Sequence, residues 1–228
     1  MDAVDPETGA KLDIDSLIAE CTVQIVAGVD TTAYTLNWTF DLLFQHPRVF
    51  RKLEAEILAH FPQKNSDSRI WYKDAKELPY LDAVILESMR FRTVAEMILP
   101  RTAPDGGRTI GGYYIPGGTS IGGTTRTIHR NPEVFDRPDE FIPERFLDGS
   151  EEQLALRRQS VVPFSIGVRA CLGRQLALME LYTCIAALIR EFEISPAQQP
   201  YIPRTEENFF LLAPKERSLP ALVKARAS

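Results

Sequence analysis

With 228 residues, 44% of them hydrophobic and 25% charged, the chain has the composition of an ordinary soluble globular protein, which argues against disorder and against a fibrous architecture. One large domain or two small ones of this length bury roughly 70–75% of the unfolded surface. A formal net charge of −5, with no basic stripe, argues against a nucleic-acid partner.

Cys21, Cys171 and Cys184 are odd in number and widely spaced, which fits neither a disulfide framework nor a paired-cysteine zinc cluster, so the chain reads as intracellular and reduced. The opening MDAVDPETGAKLDID is acidic and polar and lacks the basic and apolar regions of a secretory signal, so no targeting peptide is expected. No window reaches about 18 uninterrupted apolar residues, so no membrane span is expected in the chain.

From Asp13 to Gln45 apolar residues recur at helical spacing (Leu17, Ile18, Cys21, Ile25, Val29, Leu36, Phe40, Leu43), with Asp13 or Asp15 as N-cap. The pattern breaks only around Gly28, and such a helix is expected to run through the middle of a core. Pro47 starts a second helix to about Phe61 with a Lys52/Glu56 pair, and a polar loop from Pro62 to Arg69 follows. A third helix is predicted from Pro79 to Arg92, its inner face made by Leu81, Val84, Ile85 and Met89.

Beyond it the period changes. Residues 108–123, RTIGGYYIPGGTSIGG, read as a hairpin turning at Pro116-Gly117, and the proline-punctuated stretch 131–150 as an irregular, compact connection. A last long helix is predicted from near Cys171 to Glu191, with stripes Leu172, Leu176, Met179, Thr183, Ala186 and Leu178, Leu181, Ile185, Leu188 that make it mostly buried. The expectation is a mainly α chain with a small β region: about 13–92 helical, 93–125 the small β region, 126–170 irregular connection and cysteine loop, 171–228 long helix and C-terminal segment.

Three constellations carry possible chemistry. In PFSIGVRACLG, Gly167 and Gly173 permit positive φ or close approach around Cys171, which stands where a helix starts. Helix dipole and N–H donors favour a thiolate, which serves as a nucleophile or a metal ligand; the alternative is a buried, inert cysteine, the reading kept for Cys21 and Cys184. In AGVDTT, residues 27–32, a glycine, an acid and two alcohols sit badly inside a helix unless it opens locally, where Asp30 and Thr31 could hold water and relay protons; a solvent-facing polar notch is the alternative. In ESMR, Glu87 and Arg90 stand at i,i+3 on an apolar helix, and Arg145 of the distant PERF could satisfy their spare groups if they are buried; a solvated surface pair is the alternative.

Taken in order, AGVDTT, ESMR, PERF and FSIGVRACLG resemble the signature set of the cytochrome P450 family. The last fits that family's F-x-x-G-x-R-x-C-x-G at Phe164, Gly167, Arg169, Cys171 and Gly173, and HRNP at 129–132 and the Pro-Gly hairpin also sit where the family has them. The resemblance covers almost the whole chain, as a single partial domain equal to the C-terminal half of the family's usual length, in a style most like fungal members, which often act in secondary metabolism.

The resemblance implies a haem b cofactor, with Cys171 as the axial thiolate ligand of its iron. It implies that Arg101 and Arg169 pair with the propionates, that Phe164 packs beside the ligand loop, and that Gly167 and Gly173 give backbone N–H groups room near the sulfur. Ala27 and Gly28 match positions where the central helix opens over the iron, Asp30 and Thr31 the acid–alcohol pair that delivers protons, and Glu87, Arg90 and Arg145 a buried triad beneath the loop.

The implied activity is insertion of one oxygen atom from O2 into a small apolar organic substrate, with an external redox partner such as an NADPH-dependent reductase. The alternative is a truncated, non-catalytic relative with weak or no haem binding. A thiol redox enzyme at Cys171 lacks a resolving cysteine or adjacent histidine. The chain is expected to be a fragment, a truncated gene model or a decayed copy. Full-length relatives commonly sit at the endoplasmic reticulum membrane, for which this chain has no anchor.

One departure stands out: FRTVAEMILPR carries Glu96 where the family commonly has a small or apolar residue. The resemblance makes 93–99 and 208–212 pocket-lining, so Glu96 either marks a polar substrate or turns outward; the outward position is expected, since burying an unpaired acid is costly.

Overall fold

The computed structural model describes residues 13–62, 69–208 and 211–226, with Val4, Gly9 and Lys11 before them. Most of the expected polar loop, 63–68, and the pocket positions 209–210 lie outside the described residues.

The first helix, α1 (Ile14–Gln45), is 32 residues long, and Asp13 caps it by accepting the Ser16 N–H at 2.7 Å. That hydrogen bond holds the Asp13 carboxyl below its usual range. The helix runs unbroken through Gly28, so the expected local opening is absent. Its threonines satisfy themselves inside the helix: Thr22, Thr31, Thr35 and Thr39 each donate to the carbonyl four residues back, at 2.7–2.8 Å.

Burial is confined to the C-terminal part of α1, where Tyr34, Trp38, Phe40, Leu42, Leu43 and Phe44 are enclosed, whereas Ile18, Val23, Ile25, Val26 and Val29 are exposed. The expectation of a helix running through a core therefore holds only from Thr32 onward.

Helix α2 (Pro47–His60) buries Val49, Leu53 and Ile57, one face at i,i+4 spacing. The expected Lys52/Glu56 pair is not made. Lys52 reaches Glu144 at 3.0 Å, while the Glu56 carboxylate accepts the N–H groups of Tyr80 and Leu81 at 2.8 and 2.9 Å. Both N–H groups belong to the first turn of α4 (Pro79–Phe91), whose N-cap Leu78 has no side chain able to accept them. Glu56 thus caps a neighbouring helix, a stronger demand on a carboxylate than a solvated pair on its own.

A short helix, α3 (Tyr72–Ala75), precedes α4, and the predicted inner face of α4 is buried in full. The last helix, α7 (Arg174–Glu191), completes the core: Leu42, Leu43, Leu53, Ile57, Leu81, Ile85, Leu181, Ile185 and Ile189 form one cluster between α1, α2, α4 and α7. Only Leu181, Tyr182, Ile185, Ala186 and Ile189 of α7 are buried. Leu172, Leu176, Met179 and Leu188 are exposed, so this helix is less enclosed than its two stripes suggest.

The β region consists of two-stranded antiparallel pieces. Strand β1 (Arg101–Thr102) pairs with β4 (Ser120–Ile121), and β2 (Arg108–Ile110) with β3 (Tyr113–Ile115). The hairpin turns at Gly111-Gly112, at φ +58° and +84°, not at Pro116-Gly117. Two consecutive positive φ values are what a tight two-residue hairpin needs, and a proline cannot adopt them. The Pro116–Gly118 turn instead returns the chain toward β1, with Gly118 N–H donating to Ala103 O at 3.0 Å.

The 126–170 stretch is more ordered than expected. It holds most of α5 (Thr125–His129), a 3-10 turn at Pro143–Phe146 and α6 (Glu151–Ser160), the last with a Ser150/Gln153 capping box. After α7, β5 (Phe192–Pro196) pairs with β8 (Ala221–Ala225), and β6 (Glu206–Asn208) with β7 (Leu212–Pro214). Buried Trp38 donates Nε1–H to Leu212 O at 2.9 Å, tying α1 to β7.

Removing the Glu56 carboxylate orphans two N–H groups at the α4 N-terminus. Glu56→Ala is expected to lower unfolding stability by about 1–3 kcal/mol, read from the urea midpoint, against under about 1 kcal/mol for Lys52→Ala.

Candidate active site

A fully buried polar cluster joins α4 to the 129–146 stretch. Glu87 and Arg90 on α4 are fully enclosed, with Arg90 Nε and Nη2 donating to the two Glu87 oxygens at 2.7 and 2.8 Å. Arg145 adds Nε to Glu87 Oε1 at 3.1 Å, its own side chain 1% exposed. The sequence motifs at 87–90 and 143–146 therefore meet as a buried triad, and the solvated-pair alternative falls.

His129, at the end of α5 and wholly buried, links this cluster to the loop. Its carbonyl accepts Arg90 Nη1 at 2.9 Å, its Nδ1 lies 2.7 Å from Thr93 Oγ1, and its Nε2 accepts the Val162 N–H at 2.8 Å. Burial first, then the Arg90 charge, push its pKa down to about 4, so the ring is neutral near pH 7. Sequence reasoning placed His129 only as part of HRNP; as one of three histidines with no periodic context, it gave no sign of its partners.

From Val162 the loop runs through two left-handed positions, Ser165 at φ +59° and Gly167 at φ +76°. Gly167 meets the expected need for a glycine, whereas Ser165 carries some strain of the kind found at functional sites. Gly173 differs from expectation: its φ is −80°, and a Cβ there would touch nothing but Cys171 Sγ at an ordinary 3.9 Å. Cys171 is free and exposed, so the inert-cysteine alternative fails on burial. Its backbone N–H donates to Phe164 O at 2.8 Å, closing the loop; α7 starts three residues later, at Arg174. Phe164 is half-buried against the helical core, with the Arg174 guanidinium 5.9 Å from its ring centroid.

Arg169 is exposed and its guanidinium has no partner among the described residues. Exposed Arg101, on β1, uses Nη1 for its own neighbours, Leu99 O at 3.2 Å and Pro100 O at 3.0 Å, and pairs with no carboxylate among the described residues. On α1, Thr31 Oγ1 donates to Ala27 O at 2.7 Å, while Gly28 and Asp30 are exposed. The structure thus joins Glu87, Arg90 and Arg145, then Phe164 and Cys171, then Ala27 and Thr31; no side-chain hydrogen bond or ion pair among the described residues links Asp30, Arg101 or Arg169 to any of these. Cys21 and Cys184 are exposed and not buried as expected, and partial burial with the nearby Glu180 pushes the Cys184 thiol up.

Glu96 turns inward, against expectation, and is 6% exposed. Arg126 removes the penalty that argued for an outward carboxylate, approaching both Glu96 oxygens at 3.3 Å and Glu206 at 3.7 Å. Glu206 is also bonded by Arg92, so two acids and two arginines alternate across 92–96, α5 and β6.

The cytochrome P450 family model matches residues 1–221. The chain belongs to the cytochrome P450 family. Among curated P450 relatives it is 33% identical over 228 residues to the cytochrome P450 monooxygenase helB1 of Aspergillus fumigatus, covering 99% of this chain and 37% of that protein. It is 40% identical over 191 residues to the cytochrome P450 monooxygenase macH of Penicillium terrestre, covering 83% and 37%. The human steroid 21-hydroxylase is 37% identical over 175 residues, covering 76% and 34%. The chain therefore spans little more than a third of these P450 relatives. The crystal structure of the cytochrome P450DA heme domain superposes with a TM-score of 0.83 at 27% identity, covering 100% of this chain and 48% of that one. The mainly α architecture with small sheets is that of P450 heme domains, and the family implies a haem cofactor.

Two outcomes follow from the buried cluster. Glu87→Ala leaves two enclosed guanidinium groups without their carboxylate and is expected to destabilise the chain by about 3–5 kcal/mol in chemical unfolding. His129 binds a proton in the unfolded chain below its ordinary pKa near 6.5 but refuses it in the folded one down to about 4. Its stabilisation is therefore present above pH 6.5 and lost as pH falls toward 4, by up to about 3 kcal/mol. Urea titrations between pH 7 and 4 should show this loss, and His129→Asn should remove that part of the slope.

Proposed function

We propose that this chain is the C-terminal portion, a single partial domain, of a haem-thiolate monooxygenase acting on a small apolar organic substrate. The observation that carries the reading is the Cys171 loop: a free, exposed thiol held by Cys171 N–H to Phe164 O at 2.8 Å and flanked by exposed Ile166, Val168 and Leu172. Such a surface is unfavourable in water and suits an apolar macrocycle. Two guanidinium groups without a carboxylate partner among the described residues, on Arg101 and Arg169, suit an anionic edge on the same group. The residues present therefore fit haem b in their chemistry.

Cys171 would supply the thiolate ligand, Arg101 and Arg169 the propionate partners, and Phe164 the packing beside the ligand loop. Ser165 and Gly167, at positive φ, shape that loop, and Gly173 leaves space beside the sulfur. Haem, when bound, supplies reductive activation of O2 and transfer of one oxygen atom to substrate, with electrons from an external partner such as an NADPH-dependent reductase.

The remaining roles belong to α1. Thr31 commits its proton to Ala27 O and keeps its oxygen lone pairs for a further donor, so it can hold a proton-carrying water at that point of the helix. Asp30, next to it and exposed, can exchange protons with solvent. Ala27 and Gly28 keep that face of the helix small, and a Cβ on Gly28 would meet nothing within 4 Å.

The fungal monooxygenase relatives support a substrate of secondary metabolism. Three free cysteines support a reducing, intracellular setting, and no helix among the described residues is long and apolar enough to cross a membrane.

Reconstituted with haem, reduced and treated with carbon monoxide, the chain should give the red-shifted Soret band of thiolate ligation, and Cys171→Ala should abolish it. A chain that takes up no haem would instead be a non-catalytic relative that keeps the scaffold. In the active enzyme, Thr31→Ala should leave oxygen consumption running while product per oxygen consumed falls about tenfold or more; unchanged coupling would remove Thr31 from proton delivery.

A further inference from the structure

The imidazole of His129 lies away from Cys171 in sequence and has no assigned part in the site, yet its bonds run in one direction between α4 and Val162, the residue that opens the cysteine loop. The direction can be read donor by donor. Val162 N–H can only donate, so His129 Nε2, 2.8 Å away, must accept and carry no proton. A neutral ring then has its proton on Nδ1, which donates to Thr93 Oγ1 at 2.7 Å. Thr93 in turn donates its hydroxyl proton to Met89 O at 2.6 Å, inside α4. On the other side, Val162 O accepts the Ser165 N–H at 3.1 Å, and Phe164 O accepts the Cys171 N–H at 2.8 Å. Donor and acceptor are fixed in each of these bonds from α4 to Val162, and the covalent backbone of 162–165 carries the connection on to the bond that Phe164 O accepts from Cys171 N–H.

Position makes Val162 the anchor of the loop. It follows the C-cap of α6, Val161, and precedes Pro163, which has no N–H to offer, and Ser165, which is held at positive φ. The Val162 N–H is therefore the donor at which the Pro163–Phe164 turn opens, the turn closed by Ser165 N–H to Val162 O, and its acceptor fixes where that turn starts. Being 0% exposed, His129 meets no water that could substitute for a lost partner. Arg90 Nη1 on the His129 carbonyl and the neighbouring Arg130 face the ring's residue with positive charge, which disfavours the doubly protonated form that could not accept from Val162.

We propose that His129 is a positioning residue for the cysteine loop: as the Nδ1–H tautomer it fixes Val162 to α4 and thereby sets the backbone geometry in which Cys171 presents its sulfur. The part concerning the sulfur rests on the proposed function, whereas the anchoring of the loop does not.

The test compares the full chain with His129→Leu, which fills similar space without polar atoms, and His129→Asn, whose carbonyl and amide can reproduce an acceptor and a donor. Amide hydrogen exchange at Val162 is read without added haem. Thiolate-type against thiol-type Soret absorption of the reduced, carbon monoxide-treated form is read with haem, and far-UV circular dichroism checks the helices. In His129→Leu, Val162 exchange should be about tenfold faster or more and the red-shifted band should give way to the thiol-type band at unchanged helix content. His129→Asn should recover most of both.

If exchange and band are the same in wild type and His129→Leu, or if Asn is no better than Leu, the hydrogen-bond role is overturned. Should His129→Leu fail to fold, Thr93→Val decides, because it deprives Nδ1–H of its acceptor: faster Val162 exchange supports the assignment and unchanged exchange overturns it. A wild-type chain that never gives the thiolate band while Val162 exchange still depends on His129 overturns the proposed function and upholds the anchor.

Discussion

A carboxylate with four donors organises the part of this molecule that lacks regular structure. Glu87 receives Arg90 twice and Arg145 once, all buried, and the Ile142 N–H at 2.8 Å from a half-buried residue. The two arginines then spend their remaining donors on carbonyls: Arg90 on those of His129, Pro138 and Glu140, Arg145 on those of Asp136, Arg137 and Glu140. Backbone carbonyls in an irregular buried segment have no ladder to satisfy them, and here guanidinium groups take that place. An ion cluster of this kind need not add net stability over an apolar equivalent. What it contributes is direction, because each donor fixes one carbonyl of the 129–142 stretch.

That constraint propagates both ways along the chain. Toward the N-terminus it sits on α4, which Glu56 of α2 caps, so the helical core and the cluster share an element. Toward the C-terminus, Arg157 and Arg158 of α6 bond the carbonyls of Arg145 and Phe146 at 2.8 and 3.4 Å, setting α6 against the 3-10 turn. The cysteine loop hangs between α6 and α7, both docked to this frame. The P450 fold can thus hold a loop with two left-handed residues at the surface because what lies behind it is rigid.

Much of this was legible in the sequence wherever periodicity or a rare residue combination carried the signal. The spans of α1, α2, α4 and α7, and the inner face of α4, follow from apolar spacing and from Pro47 and Pro79 at helix starts. The buried triad was implied by the family resemblance, whereas an acid and an arginine three apart left a solvated surface pair equally open. Failures came where a choice depends on a distant neighbour. Glu56 could serve Lys52 or the end of another helix, and only packing decides; Glu96 is tolerable inside only because Arg126 arrives from 30 residues away. Gly-Gly outcompetes Pro-Gly for the hairpin because of backbone handedness, a distinction the composition of 108–123 left open. His129 was invisible for the same reason: its function lies in which atoms face it.

Helix α1 joins two regimes in one continuous element. From Thr32 onward it is clamped by Trp38 and the core, whereas the stretch before it, rich in β-branched residues such as Val23, Ile25, Val26 and Val29, stands in solvent. Residues of that type make a poor isolated helix, and a segment of about 18 residues containing them would be marginal alone. They stay helical because the clamped end has already nucleated the turn, so each further residue adds only a propagation step. Resistance to unwinding must then decline with distance from Trp38, giving a graded rather than all-or-none response along one helix. Thr31 lies at the top of that gradient. Any surface that settles on residues 14–31 raises the foot of the gradient by mass action and, through the shared hydrogen-bond ladder, stiffens the position of the Thr31 hydroxyl as well.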